Sequence, residues 1–151
     1  MFRGANAINL DAKGRIAMPA RYREQLVVEC AGSMVVTKDL FDPCLLLFPI
    51  PEWESLETKL AGLSSTNRQH RAIKHILLGH ATDIELDKNS RFLVPPSLRQ
   101  LVGLEKHLFL VGNGRSFQIW DEAQWNSQIE DDLALVTDQS LDSEQLPDLS
   151  F

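Results

Sequence analysis

Apolar positions along this chain fall into short strand-like runs punctuated by turns, then into helix-spaced stripes, and the sequence of signals occurs twice. Ala7 to Leu10 and Ile16 to Met18 flank Asp-Ala-Lys-Gly, where Gly14 supplies the left-handed conformation of a tight turn, so a β-hairpin is predicted. Pro19 then opens a short helix, ARYREQLV. Glu85-Leu86 and Phe92 to Val94 repeat the pattern around Lys88-Asn89-Ser90, with Asn89 expected to replace the glycine, and Pro95-Pro96 open the helix SLRQLV. Each short helix precedes two apolar strands: Met34 to Thr37 with Leu45 to Phe48, and Leu108 to Val111 with Phe117 to Trp120. A helix closes each half. Trp53, Leu56, Leu60 and Leu63 keep the spacing of one buried stripe, as do Trp125, Ile129 and Leu133, the latter helix starting at an Asp121/Gln124 capping box. A linking helix covers about Asn67 to Leu78 after the loop Ser64 to Thr66.

The two halves also align residue by residue. At an offset of 76, LDAKGRIAMPARYREQL answers LDKNSRFLVPPSLRQL, matching Asp11 with Asp87, Arg15 with Arg91, and Arg23 with Arg99; at an offset of 72, CLLLFPIPEW answers SFQIWDEAQW. Two copies are too few for a solenoid. Each half reads β-β-α-β-β-α with strands too short to close a core alone, and an isolated hairpin is marginal in water. The expected fold is therefore α+β, mainly β: tandem pseudo-symmetric repeats whose hairpins interleave into one shared barrel with flanking helices. The expected modules are 1–77, including the linking helix, and 78–135. Residues 136–151, rich in Asp, Ser and Gln, are expected to form a flexible acidic tail.

Composition narrows the partners. The 151 residues, 44% hydrophobic, suffice for a real core. The opening MFRGANAINLD has no apolar run of signal-peptide length and no stretch is long enough to span a membrane, so the cytoplasm is the default expectation. Cys30 and Cys44 fit no metal or redox spacing and are expected reduced and buried. The net charge of −6 points away from nucleic acid, but nine acids and no Lys or Arg lie from Asp121 onward, leaving 15 basic against 12 acidic groups in residues 1–120. That modest excess means that any DNA binding rests on a few placed cations multiplied by assembly.

The paired D-x-x-x-R turns are the candidate chemistry. Asp11 can accept hydrogen bonds from turn amides and brace Arg15, leaving the guanidinium free to fork onto phosphate or guanine. A structural Asp–Arg pair stitching the hairpin is the other reading, and it is worth only about 0–1 kcal/mol at a surface. Asp87 and Arg91 repeat the device, with both readings open for Arg91. Lys13 sits at the tip as a phosphate contact, and Arg3, Arg21 and Arg23 add cations expected near it. Arg21 and Arg23, about 200° apart on a helix, cannot both face one ligand. Arg68, Arg71 and Lys74 form a cationic ridge, read as a helix face pairing with a neighbour's acids more readily than as a second DNA surface. His70, His75 and His80 recur every five residues, unlike the i, i+4 pair of zinc helices, so no metal is expected. No nucleophile triad, phosphate loop or carboxylate pair marks an enzyme or calls for a cofactor. The three tryptophans fall on core positions.

Taken together, MFRG, the two D-x-x-x-R turns, YREQL, PCLLLFPIPEW, LLGHA and WDEAQW resemble the MraZ family, built from two tandem AbrB-like swapped-hairpin modules. The resemblance implies a cytoplasmic, nucleoid-associated transcriptional regulator that binds G-rich direct repeats as a ring of identical subunits. It further implies repression of the division and cell-wall gene cluster that includes its own gene. It assigns DNA contact to Arg15 and, by matching position, to Arg91; beside it, the reading of the residues themselves adds Lys13 and Arg3 as DNA-binding cations and Asp11, Asp87 and Gly14 as the residues that brace the turns. No membrane or small-molecule substrate is implied. The rival from another class is a ring-forming scaffold that binds proteins, with DNA incidental.

Overall fold

The structure, a computed structural model, describes residues 1–137. In order these form β1 (Phe2–Asn9), β2 (Arg15–Ala17), α1 (Ala20–Cys30), β3 (Ser33–Lys38), β4 (Leu45–Pro49) and α2 (Ile50–Ala61). The linking helix α3 (Arg68–Leu77) follows. The pattern then repeats as β5 (Thr82–Glu85), β6 (Arg91–Leu93), α4 (Pro96–Leu101), β7 (His107–Gly114), β8 (Phe117–Asp121) and α5 (Glu122–Thr137). The α+β fold of two tandem repeats is as the sequence implies, and although helical residues outnumber strand residues, the sheets set the architecture. The last helix runs two residues past the expected tail boundary, and the rest of that acidic stretch, 138–151, lies outside the described residues.

Prolines set the starts of three helices: Pro19, Pro49 and Pro95 each stand at the N-cap with φ near −55°, a value their rings impose. The linking helix starts differently. There the Asn67 side chain accepts a hydrogen bond from the His70 amide at 3.1 Å.

All strand pairs are antiparallel, in a six-stranded sheet of order β1-β7-β8-β4-β3-β5 and a two-stranded ribbon of β2 with β6. Exchanging the halves, so that β1 becomes β5, β7 becomes β3 and β8 becomes β4, reads the same order backwards. The register obeys the same two-fold. Leu46 faces its counterpart Gln118 in β4–β8, and Ile16 faces its counterpart Phe92 in β2–β6.

This register corrects the local hairpin expected from residues 7–18. Asp11 N–H bonds the Arg15 carbonyl at 2.9 Å, but beyond that root β1 ladders along eight residues with β7 of the other half, and β2 pairs with β6. A hairpin with a three-residue arm buries almost nothing by itself. Exchanging partners buries Ile16 and Phe92 against each other, at 0% and 1% exposure.

The core lies between the sheet and the ribbon. Leu45, Leu47, Leu108, Leu110, Phe117 and Ile119 meet Ile16 and Phe92 there, and Tyr22, Leu26 and Leu98 fill the sides from α1 and α4. Phe2 anchors the start of β1, its ring centroid 4.2 Å from that of Phe117. Further along, a Cβ at Gly112 would stand 2.4 Å from the Arg3 nitrogen, so only glycine lets β1 and β7 approach this closely.

On the sheet's other face, α2 packs Trp53 against Phe48, and α5 packs Trp125 against Phe109 and Trp120. The stripe expected on α5 is only half formed. Trp125 and Ile129 are half-buried, but Leu133 is 61% exposed, because the helix has by then run past the strands that support it. Cys30 and Cys44 are free thiols and buried, as expected. No helix among the described residues is long and apolar enough to cross a membrane.

Candidate nucleic-acid interface

The two D-x-x-x-R turns close in the same way. Asp11 Oδ1 accepts from the Lys13 and Arg15 amides at 2.9 and 2.8 Å, while Oδ2 accepts from Arg15 Nε at 3.0 Å. Asp87 Oδ1 accepts from the Asn89 and Arg91 amides at 2.8 and 2.9 Å. In both turns the aspartate's backbone carbonyl takes the amide three residues on, from Gly14 at 3.0 Å and from Ser90 at 2.9 Å. These bonds favour the ionised carboxyls. The pKa of each aspartate lies below its ordinary value, held there first by the amide of its own arginine, with burial, the next largest cause, pulling the other way.

The second turn differs from expectation in one residue. Ser90, not Asn89, takes the left-handed conformation at φ 57°, at the position matching Gly14 at φ 81°. The Asx bond from Asp87 to the Asn89 amide holds residue 89 inside the turn, so the reversal falls one residue later. The turns also differ in their bracing. Arg91 Nε stands 3.3 Å from Asp87 Oδ2 as an ion pair, but it is buried and forms no hydrogen bond.

Interleaving brings both arginines to one surface. Since Ile16 and Phe92 point inward, alternation along the ribbon turns Arg15, Ala17, Arg91 and Leu93 outward. Arg15 faces Leu93 across the ribbon and Arg91 faces Ala17, so the two arginines are diagonal neighbours, about 7–8 Å apart at the backbone. Both are half-exposed. Among the described residues neither places its Nη groups on a protein acceptor, so two guanidinium forks stand open on one face.

Other cations sort by distance from this face. Lys13 is exposed at the first tip, as expected. Arg3 is not near it: six residues of β1 separate Arg3 from Asn9, roughly 20 Å at about 3.3 Å per residue. Arg3 sits instead at the strand's far end with Arg21, whose Nη2 bonds the Arg3 carbonyl at 3.1 Å and whose guanidinium lies 5.0 Å from the Tyr22 ring centre. Arg23 turns the other way and bonds the Met18 carbonyl at 2.7 Å, in keeping with the opposed directions read from the helix. On α3 the ridge is partly folded inward, with Arg71 bonding the Ser65 and Thr66 carbonyls and Lys74 the Leu63 carbonyl.

Sequence reasoning missed two cations. Arg99 of α4 lays its guanidinium over Gly14, so close that a Cβ there would stand 2.7 Å from Cζ, and its Nε is buried without a partner. Lys88 is exposed at the second tip. The signal for Arg99 was its alignment with Arg23; the contact with Gly14 depends on the interleaving and has no local signature. His70 accepts from the Ser64 amide, His80 Nδ1 contacts the Ile76 carbonyl, and among the described residues no group of His, Cys, Asp and Glu is arranged to hold a metal.

Comparison with known proteins adds an independent line. The family model described as "MraZ protein, putative antitoxin-like" matches the chain twice, over residues 1–76 and 77–143. The chain is 52% identical over 149 residues to a protein of Pseudomonas aeruginosa PAO1 named "Transcriptional regulator MraZ", covering 99% of each. It is 50% identical, with the same coverage, to a protein of that name from Pseudomonas syringae pv. tomato. A third, from Azotobacter vinelandii, is 52% identical over 139 residues, 92% of this chain and 91% of the relative.

Proposed function

The chain belongs to the MraZ family, and from that premise we propose that it is a DNA-binding transcriptional regulator that reads its operator with the outward face of the β2–β6 ribbon. The observation that carries this reading is the pair of open guanidinium forks, Arg15 and Arg91, side by side on that face. Asp11 uses its oxygens on turn amides and Arg15 Nε, which fixes that fork's direction, while Asp87 holds turn amides with Arg91 Nε at ion-pair distance; both arrangements leave the outer guanidinium edge for phosphate oxygens or for guanine O6 and N7. Arg15 is the primary contact because its brace is a hydrogen bond at 3.0 Å, which Arg91 lacks; Arg91 is the secondary one. Gly14, under Arg99, sets the turn's shape. Arg3, at the other end of β1, lies outside this face and contributes at most to a second duplex contact.

The finer reading is a repressor of the division and cell-wall gene cluster, its own gene included, acting from the nucleoid as a homo-oligomeric ring on G-rich direct repeats. A ring suits direct repeats, since rotationally related subunits present successive ribbons in one sense. It also suits the modest cationic surplus of one subunit. The MraZ regulators among its relatives support regulation over catalysis.

Footprinting on the DNA upstream of the protein's own gene, with size-exclusion chromatography alongside, tests the assignment. Arg15→Ala is expected to keep its assembly size and lose specific protection, since one fork is worth about 1–3 kcal/mol and every engaged subunit loses one. Arg91→Ala is expected to lose less. Wild-type protection by a correctly assembled Arg15→Ala protein would overturn the assignment and favour a protein-binding scaffold.

A further inference from the structure

The outward face of the β2–β6 ribbon carries two arginines and two apolar residues, with Arg15 directly opposite Leu93 and Arg91 directly opposite Ala17. A leucine in that place needs a reason. Leu93 is 50% exposed while Phe92 and Val94 on either side of it are buried in the core, so its side chain contributes little to the fold. The two-fold that relates the halves maps Leu93 onto Ala17, so the face repeats its arginines but not its apolar residues. The major groove of a duplex admits a two-stranded ribbon and presents guanine O6 and N7 to its arginines. Beside them a leucine can neither donate nor accept a hydrogen bond. The base edges in that groove are hydrogen-bonding groups with one apolar exception, the C5 methyl of thymine. A phosphate is no partner for Leu93, which has no charge and whose other side borders a cleft lined by Pro95, Asp83 and Glu85, two acids that repel the DNA backbone.

We infer that Leu93 is a specificity-determining residue that packs on a thymine methyl close to the guanine held by Arg15. Directly opposed residues of an antiparallel pair have Cβ atoms about 4.5–5.5 Å apart and successive bases rise by about 3.4 Å, so the two contacts fall within one or two base steps. Ala17, a single carbon long, reaches less far beside Arg91. Each ribbon therefore reads a thymine on one side only, and this asymmetry gives the recognised box a direction that two matched arginines alone do not. The contact rests on the DNA face proposed above and adds a second base to what that face selects.

The test uses synthetic duplexes of the region that the wild-type protein protects upstream of its own gene, with each thymine replaced in turn by deoxyuridine, which removes the C5 methyl and leaves base pairing intact. Affinity is read by fluorescence anisotropy for wild type, Leu93→Ala and Arg15→Ala, with circular dichroism to confirm that each variant is folded. One thymine per box is expected to be methyl-sensitive, wild type losing about fourfold in affinity for each box substituted, the factor for withdrawing one methyl-sized group from an apolar contact. Leu93→Ala is expected to bind the thymine duplex about as weakly as wild type binds the deoxyuridine duplex, and to be indifferent to the exchange. Absence of any methyl-sensitive position, or the same sensitivity retained in Leu93→Ala, would overturn the inference. If Arg15→Ala loses binding in that case, the DNA face stands without the leucine contact; if Arg15→Ala binds as wild type does, both fall.

Discussion

At the scale of single residues, the D-x-x-x-R turn works because one carboxylate serves two kinds of donor. The amides of residues 13 and 15 fix the turn, and Arg15 Nε fixes the fork. The folded-state pKa of Asp11 lies below its unfolded value, so its ionisation contributes stability that is fully present above the unfolded value of about 3.9 and is lost as pH falls through the lower folded value. The Arg15 amide ranks first among the causes, ahead of the Arg15 side chain and charge. Following the Asp11 carboxyl carbon by NMR during an acid titration should therefore give a depressed midpoint in wild type that rises only partway in Arg15→Ala. A full return to the ordinary aspartate value would mean that the guanidinium, not the backbone, holds the carboxylate ionised. This much was legible in the sequence, since every participant lies within five residues. Ser90 was misread for the opposite reason: Asn89 has the better intrinsic tolerance of positive φ, but the Asx bond from Asp87 decides which residue must reverse.

At the scale of elements, periodicity located nearly every strand and helix but assigned the wrong partners near the turns. Ala7 to Leu10 and Ile16 to Met18 read as a hairpin because they are adjacent in sequence and joined by Gly14, whereas their ladders run to β7 and β6. Partner choice is a property of the interleaved pair, invisible to a local window. The same holds for Leu133, whose spacing matches a buried stripe but whose support ends with the sheet. The exchange has a measurable consequence. Fragments 1–77 and 78–151 each lose the partner for a whole strand, β1 without β7 in one and β5 without β3 in the other, and each leaves its half of the ribbon unpaired. Neither is expected to show a cooperative thermal transition by circular dichroism, while an equimolar mixture recovers one. A cooperative melt from either fragment alone would show that the repeats are independent domains.

At the scale of the whole molecule, the charge distribution predicts that a single subunit would hold DNA weakly and that the proposed assembly would multiply its contacts. The net charge is −6, and the two open arginine forks of the proposed DNA face lie on a ribbon of six paired residues. Non-specific DNA affinities lie around 10⁻⁴–10⁻⁶ M at physiological salt even for proteins with more phosphate contacts than one such face offers. Once one ribbon is engaged, neighbours in an assembly experience millimolar-scale effective concentrations, and avidity rises by roughly 10²–10⁴ provided that box spacing matches subunit spacing. Spacing is therefore as much a determinant as sequence. Shifting one spacer in an array of direct repeats by about half a helical turn, roughly 5 base pairs, rotates one box to the far side of the duplex, so its ribbon can no longer engage. Affinity measured on matched duplexes should rank correctly spaced boxes far above mis-spaced boxes, with mis-spaced boxes close to a single box, and the gap should narrow as salt weakens every phosphate contact. Equal affinity for all three duplexes would mean that the operator is read by isolated ribbons, and that assembly serves some purpose other than DNA recognition.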